Sequence, residues 1–105
     1  MLQSRGFEIQ ETEGFKRWLN RLKDAYARLR ITTRIKRLGQ GHLGDAKSVG
    51  HAVWELRIDS GPGYRVYFTR VGERIVFLLV GGDKGTQERD IANAVSLAAI
   101  ARRNG

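Results

Sequence analysis

Two arginines that flank a glycine-rich turn are the residues of this sequence best suited to binding an anion. Arg57 precedes the turn Ser-Gly-Pro-Gly at 60–63, and Arg65 follows it. Pairing the flanking segments about this turn places the two arginines directly opposite each other, where like charges repel. A bound phosphate would relieve that repulsion, because a planar guanidinium group matches its oxygens. In the alternative interpretation, Glu55 and Asp59 neutralise the two arginines diagonally.

These two interpretations predict different behaviour when Arg65 is removed. If Arg65 faces a phosphate, Arg65→Ala abolishes any activity that depends on this anion. It also slightly stabilises the fold, because the repulsion with Arg57 disappears. If Arg65 is structural, the same change leaves Glu55 or Asp59 unpaired and lowers the melting temperature.

Several other side chains could complete a catalytic site around the turn. Lys84, in a glycine-rich loop, could join the same anion site, and Lys47 could reach it from the other side. Tyr67 shares the face of the arginines and could stack on a base. His51 and His42 could each act as a general base near neutral pH, although a single loop histidine is more often a solvated surface residue. Two histidines are too few for a zinc site unless carboxylates contribute, so no metal site is predicted.

Positive charge is concentrated in one stretch of the chain. The protein has 19 Lys and Arg against 11 Asp and Glu, a net charge of +8, and residues 15–37 hold nine of the basic residues but only one acidic residue. Such a field suggests a polyanionic partner, either nucleic acid or an acidic protein. The alternative is a solvated helix face. If the partner is a nucleic acid, the residues predicted to contact its phosphates are Arg28, Arg34, Lys36 and Arg37.

The same basic stretch has the apolar periodicity of two helices. Apolar side chains recur every three to four residues after Thr12, a plausible N-cap, and again after Asp24. We predict helices over 12–22 and 25–38, folded as an antiparallel pair. Residues 39–44 match the GxGxxG pattern, but they follow a helix rather than a strand. These glycines are therefore interpreted as cap and loop residues, not as a dinucleotide site.

The second half of the chain predicts an antiparallel sheet followed by a helix. Segments 51–59 and 64–69 alternate apolar and polar residues, which favours a hairpin with its apolar side chains on one face. The paired residues in this register are Ile58 with Tyr64, Leu56 with Val66, Trp54 with Phe68, Arg57 with Arg65, and Glu55 with Tyr67. Residues 74–80 are apolar on both faces and are predicted to be the most buried strand.

The remaining elements complete an α+β fold. A short strand is predicted over 7–10, a loop at Gly81, Gly82 and Gly85, and a last helix from Thr86 to about Ala101. The prediction is two N-terminal antiparallel helices packed on an antiparallel β-sheet, with a C-terminal helix.

Length and composition exclude several classes of protein. A chain of 105 residues predicts one domain. The absence of cysteine excludes a disulfide scaffold, a thiolate zinc site and an iron–sulfur cluster, and it fits a reducing cytoplasm. The longest apolar run, at 75–80, is far shorter than the roughly 20 residues that span a bilayer. Residues 1–5 lack the hydrophobic stretch of a secretory signal, so we expect a soluble, cytoplasmic protein with no membrane partner.

Five motifs follow one another over nearly the whole chain. They are FKRWL at 15–19, IKRL at 35–38 with GDAK at 44–47, ELRI at 55–58, GPGYRVYF at 61–68 and LLVGGDK at 78–84. This combination resembles the toxins of the RelE/ParE superfamily, specifically the HigB-like branch of addiction module killer proteins. The resemblance implies a single RelE/ParE-like toxin domain over 1–105 with the α+β fold predicted above. It also implies a type II toxin–antitoxin module, in which a helix-turn-helix antitoxin from the adjacent gene neutralises the toxin.

The resemblance further implies an activity. Many relatives are endoribonucleases that cut mRNA in the ribosomal A site without a metal or other cofactor, which would make the ribosome and mRNA partners of this protein. Arg65 matches the arginine that contacts the scissile phosphate in RelE-type toxins, and Lys84 falls in a loop where those toxins carry further basic residues.

Three departures from RelE leave the activity open. Val53 and Glu55 stand where RelE carries lysines, and the position of its catalytic tyrosine falls near Asp90. Proton transfer must therefore use other groups, such as His51 or Lys47. ParE-type members of the same superfamily inhibit DNA gyrase and cut no RNA, so a non-enzymatic gyrase inhibitor is the second hypothesis.

Overall fold

A five-stranded sheet with helices on both faces forms the core of residues 6–104, the part of the chain that our computed structural model describes. In chain order the elements are β1 (Glu8–Glu11), α1 (Glu13–Arg21), α2 (Ala25–Gly39), β2 (Ala46–Gly50), β3 (Val53–Ile58), β4 (Tyr64–Val71), β5 (Ile75–Asp83) and α3 (Gln87–Asn104), with a 3₁₀ turn at Lys84–Thr86. The strands lie in the order β1-β5-β4-β3-β2, and this arrangement confirms the predicted α+β fold. No helix within residues 6–104 is long and apolar enough to cross a membrane.

The β3–β4 hairpin has the register that the sequence predicts. All five predicted pairs are present, including Arg57 opposite Arg65 and Glu55 opposite Tyr67. The period-2 pattern fixes this register, because a slip by one residue would turn every apolar side chain to the other face.

Both faces of the sheet are covered, which the sequence pattern alone does not reveal. On one face Phe15 of α1 and Ile31 of α2 pack against Leu56 and Phe68 of the sheet. On the other face, α3 packs its small residues Ala94 and Ala98 against the second core cluster. Side chains of β3 and β4 that alternate with the apolar positions, such as Glu55 and Tyr67, are therefore buried too. β3 and β4 are consequently covered on both faces, and most of their residues are buried.

The helix caps are confirmed and several strand predictions need correction. Thr12 and Asp24 cap α1 and α2 as predicted. β1 begins one residue later than predicted and pairs parallel to β5, so the sheet is not wholly antiparallel. β4, not β5, is the central strand and has the larger share of buried residues. β2 was not predicted, because this edge strand is mostly exposed and shows no clear apolar alternation.

Gly81 and Gly82 lie inside β5 rather than in the predicted loop. They pair with Val66 and Arg65 of β4. A Cβ atom at Gly81 would collide with the Trp18 indole, and one at Gly82 would collide with the Asp90 carboxylate. These glycines therefore allow close packing, and their presence in the sequence does not mark a turn.

We expect Gly81→Ala to destabilise the fold by about 1–3 kcal/mol, because the added methyl group overlaps a packed indole ring. Gly14→Ala is the matched control: its Cβ would meet nothing closer than 3.9 Å, and Gly14 lies in α1. That substitution should be neutral or stabilising by up to about 1 kcal/mol. Urea denaturation measures both, and equal stability of the two variants would contradict the packing role of Gly81.

Candidate anion-binding site

A polar cavity of about 430 Å³ opens beside the β3–β4 turn. Its lining residues are Asp45, Arg57, Asp59, Gly61, Pro62, Gly63, Arg65 and Lys84. Three basic side chains and two carboxylates thus surround a space of the size that a phosphate group and its neighbours require. The turn contributes little side-chain bulk, so the backbone leaves the cavity open.

Arg65 is held at this cavity by a buried carboxylate. Its side chain is only 11% exposed, and its Nε lies 3.8 Å from Oε1 of Glu55, which is completely buried. The Tyr67 hydroxyl donates a hydrogen bond of 3.1 Å to Oε2 of Glu55, and Nε2 of Gln87 donates a second bond to the same oxygen. A buried carboxylate needs such partners, because desolvation penalises its charged form. Glu55 therefore fixes where the Arg65 guanidinium group lies.

Arg57 has a more exchangeable partner. Its Nη2 lies 3.2 Å from Oδ1 of Asp45, and both side chains are well exposed. Exposed ion pairs of this kind contribute little stability, so a ligand can replace the carboxylate at small cost. Glu55 therefore neutralises Arg65 diagonally, as the alternative interpretation predicts. The acid that pairs with Arg57 is Asp45 and not Asp59, which makes no ion pair among residues 6–104.

This geometry removes the basis for expecting Arg65→Ala to stabilise the protein. Asp45 and Glu55 already relieve the repulsion between the two arginines. Loss of Arg65 would instead leave the buried Glu55 carboxylate without its cation, which is destabilising.

Lys84 reaches the cavity because its backbone is tied to the hairpin turn. The Lys84 N–H donates a hydrogen bond of 2.9 Å to the Gly63 carbonyl. Gly63 has a φ of +85°, and a Cβ there would lie 3.5 Å from Nη1 of Arg65 and 3.6 Å from Cβ of Lys84. Glycine at this position is favoured by the left-handed backbone, whereas a Cβ at these distances would make only ordinary van der Waals contacts. Arg57, Arg65 and Lys84 therefore line one cavity.

Three other predicted catalytic or stacking residues do not join them. Tyr67 is completely buried under α3, so the prediction that its ring stacks on a base is wrong. Burial, reinforced by Glu55, raises the pKa of Tyr67 and keeps its hydroxyl protonated.

His51 lies in the tight β2–β3 turn with a φ of 53°. The four residue-to-residue steps from Val53 to Arg57 span about 13 Å of strand, so His51 is at the opposite end of β3 from the cavity. Lys47 is exposed on β2 and does not line the cavity.

The basic residues of α2 divide into two groups. Arg28 donates to the Leu22 carbonyl at the C-terminal end of α1. Nη1 of Arg34 donates a hydrogen bond of 2.8 Å to the Arg57 carbonyl, and burial lowers the pKa of Arg34 although Asp45 opposes this. Both arginines are half-buried and bonded to backbone carbonyls, so they are less accessible than Lys36 and Arg37, and their contact with RNA stays a prediction. Lys36 and Arg37 are exposed, and their contact with RNA remains a prediction.

Two residues of the site were missed at the sequence level. Gln87 comes from α3 and completes the hydrogen bonds of Glu55. Asp45 comes from the loop before β2 and pairs with Arg57. Gln87 stands in none of the motifs, and GDAK does not reveal the partner of Asp45, because both roles depend on which elements the fold brings to β3.

A larger cavity of about 500 Å³ lies elsewhere, between α1, the end of β5 and α3. Its walls are mainly apolar, with Trp18, Leu79 and Leu97 among them, and Arg17 is its one basic residue. This second cavity therefore lacks the cluster of cations that lines the cavity beside the hairpin turn.

Comparison with known proteins agrees with this architecture. Residues 17–103 match the family described as "Phage derived protein Gp49-like (DUF891)". A relative in Haemophilus influenzae (strain Rd), named only "Uncharacterized protein", is 50% identical over 91 residues, which cover 87% of this chain and 92% of that protein. E. coli toxin RelE, in the free state and with two arginines replaced by alanine, is similar with a TM-score of 0.72 and 15% sequence identity, covering 87% of this chain and 96% of that chain. The protein therefore belongs to the phage-derived Gp49-like family and has the fold of the RelE toxin, as the resemblance to the RelE/ParE superfamily predicts.

Proposed function

We propose that this protein is the toxin of a type II toxin–antitoxin module and that it cleaves mRNA on the ribosome without a metal. The observation that carries the proposal is Arg65, nearly buried and fixed by Glu55 at a cavity that Arg57 and Lys84 also line. The RelE fold supports it, because the structurally similar protein is named a toxin. An antitoxin encoded by the adjacent gene is its expected partner.

The reaction that suits this cavity is an intramolecular transesterification of the RNA phosphodiester. The ribose 2′-hydroxyl attacks the adjacent phosphorus, the bond to the 5′-oxygen breaks, and a cyclic phosphate forms. Negative charge grows on the phosphoryl oxygens during this step. Guanidinium groups at fixed positions stabilise that charge without reorganising, which is how Arg65 and Arg57 would act.

Two protons must also move. Asp59 lines the cavity, and it is the cavity carboxylate that no arginine engages among residues 6–104. We assign it the proton of the 2′-hydroxyl. Lys84 carries an exposed ammonium group at the same cavity and donates the proton that the leaving 5′-oxygen requires. His51 and Lys47 are replaced in these roles because the fold places them outside the cavity.

The function is tested by incubating the purified protein with mRNA in the presence and absence of ribosomes, with EDTA added in parallel. We expect cleavage that requires ribosomes and is unaffected by EDTA. A DNA gyrase supercoiling assay with the same preparation tests the second hypothesis. Inhibition of gyrase without any RNA cleavage would establish the ParE-like function instead.

Substitution of Arg65 separates its catalytic role from its structural role. Arg65→Ala should lower the stability by about 3 kcal/mol, because the buried Glu55 carboxylate loses its cation. Arg65→Lys keeps a cation beside Glu55 and should stay within about 1 kcal/mol of the wild type, but it loses the planar donor pair that fits a phosphate. We expect its cleavage rate to fall by roughly 10²-fold. A stable Arg65→Lys variant with wild-type cleavage would show that Arg65 serves only to neutralise Glu55.

Lys84 and Lys47 form a matched pair, since both are exposed lysines that the sequence makes candidates for the site. Lys84→Ala should lower the single-turnover cleavage rate by roughly 10²-fold, because the leaving 5′-oxygen loses its proton donor at the cavity. Lys47→Ala should cleave as fast as the wild type, because Lys47 does not line the cavity. Equal losses in the two variants would mean that only the overall charge matters.

Asp59→Asn tests the assignment of the proton acceptor. The amide keeps the shape of the side chain but cannot take up the 2′-hydroxyl proton, so we expect cleavage to fall by roughly 10²–10⁴-fold. Thermal stability should change little, because Asp59 is exposed and makes no ion pair within residues 6–104. Full activity of Asp59→Asn at several pH values would remove Asp59 from the mechanism.

A further inference from the structure

The solvent side of α2 carries apolar and basic side chains together. Tyr26 is 64% exposed and Leu29 is 62% exposed, although both are large apolar residues. The guanidinium carbon of Arg30 lies 5.9 Å from the centre of the Tyr26 ring. With Thr33, Arg34 and Arg37 these residues line a shallow groove of about 270 Å³, and Arg34 is held there by the Arg57 carbonyl. We call Tyr26, Leu29, Arg30, Thr33 and Arg37 the α2 outer face.

The α2 outer face does not serve the core. The core residues of this helix are Ala27, Ile31 and Leu38, which are fully buried against the sheet. Tyr26 and Leu29 are three residues apart and so lie one turn from each other on the other side of the helix. Single exposed apolar residues are ordinary, but a pair of them that borders a groove is typical of a binding surface.

The charge of this face is not neutralised by α2 itself. The helix has no acidic residue between Ala25 and Gly39, whereas Arg30 and Arg37 flank the apolar pair. A partner that complements the face must therefore combine carboxylates with apolar side chains.

RNA is a poorer complement for the same surface. Phosphates can pair with arginines, but Leu29 gains nothing from a contact with a phosphate or a sugar. Moreover, Arg28 and Arg34 are held by the Leu22 and Arg57 carbonyls, which reduces the number of free cations on this helix. An amphipathic helix can use both the apolar and the basic part of the α2 outer face.

We propose that the α2 outer face docks an acidic amphipathic helix of the antitoxin. Its apolar side covers Tyr26 and Leu29, and its carboxylates pair with Arg30 and Arg37. The identity of this partner rests on the proposed function, whereas the choice of surface rests on the exposure and charge of α2. The α2 groove and the anion cavity share no lining residue, so docking and RNA cleavage are separable by substitution.

Two double variants of the full-length protein test the docking surface. Tyr26→Ala with Leu29→Ala removes the apolar part, and Arg30→Gln with Arg37→Gln removes the charge. Ile100→Ala with Arg103→Gln is the matched control, because it removes one exposed apolar and one exposed basic residue from α3. Binding of the purified product of the adjacent gene is measured by calorimetry at low and high salt. Ribosome-dependent cleavage and circular dichroism are measured on the same samples.

We expect each α2 double variant to raise the Kd for the adjacent gene product by about tenfold or more, while the control stays at the wild-type value. The arginine variant should also lose most of the salt dependence. Ribosome-dependent cleavage should remain at the wild-type rate in the variant that lacks Tyr26 and Leu29. A failure of the wild type to bind the adjacent gene product would contradict the antitoxin partner itself, and the docking proposal with it.

Two results would overturn the docking surface alone. The first is wild-type affinity of both α2 variants for an adjacent gene product that does bind. The second is an unchanged Kd accompanied by loss of ribosome association in the arginine variant, which would make the α2 outer face an RNA surface.

Discussion

The arrangement of the candidate site depends on one buried charge, the carboxylate of Glu55 beneath the guanidinium group of Arg65. A completely buried carboxylate is stable only when hydrogen-bond donors and a cation surround it, and Tyr67, Gln87 and Arg65 supply them. Glu55 lies on β3 and its partners on β4 and α3, so the site depends on the packing of α3 on this face of the sheet. In exchange Arg65 is held without needing a ligand, which is the preorganisation that charge stabilisation requires.

The contrast between the two arginines follows from their burial. Arg65 is 11% exposed, and its counter-ion cannot leave, so the charge at that position is permanent. Arg57 is 40% exposed and pairs with an exposed Asp45, so that pair can open when an anion arrives. The hairpin thus places the buried cation of Arg65 opposite the exposed cation of Arg57. Only Arg57 has a counter-ion that an incoming anion can replace. The β3–β4 register is what places them opposite each other.

Much of the fold was predictable from the sequence, because its strongest signals are local. The alternating residues around the Gly-Pro-Gly turn fixed the hairpin register, and Thr12 and Asp24 marked the helix starts. The same alternation made Glu55 and Tyr67 look like solvent-facing residues, since it cannot show that α3 covers that face. Gly81 and Gly82 have the same ambiguity, because glycine marks both a turn and a place of close packing.

In the basic stretch at 15–37, the number of charged residues does not predict which side chains are free to bind a partner. Arg28 and Arg34 lie on the same helix as the exposed Arg37, but their long side chains turn inward to backbone carbonyls. Those carbonyls lie at the end of α1 and on β3, so each arginine connects α2 to another element. Of the exposed or half-exposed cations, Arg30 and Arg37 lie beside Tyr26 and Leu29, whereas Arg57 and Lys84 line the anion cavity. The same residue type therefore serves different surroundings: Arg28 and Arg34 bond to backbone carbonyls, Arg65 neutralises a buried carboxylate, and Arg30 and Arg37 border exposed apolar side chains.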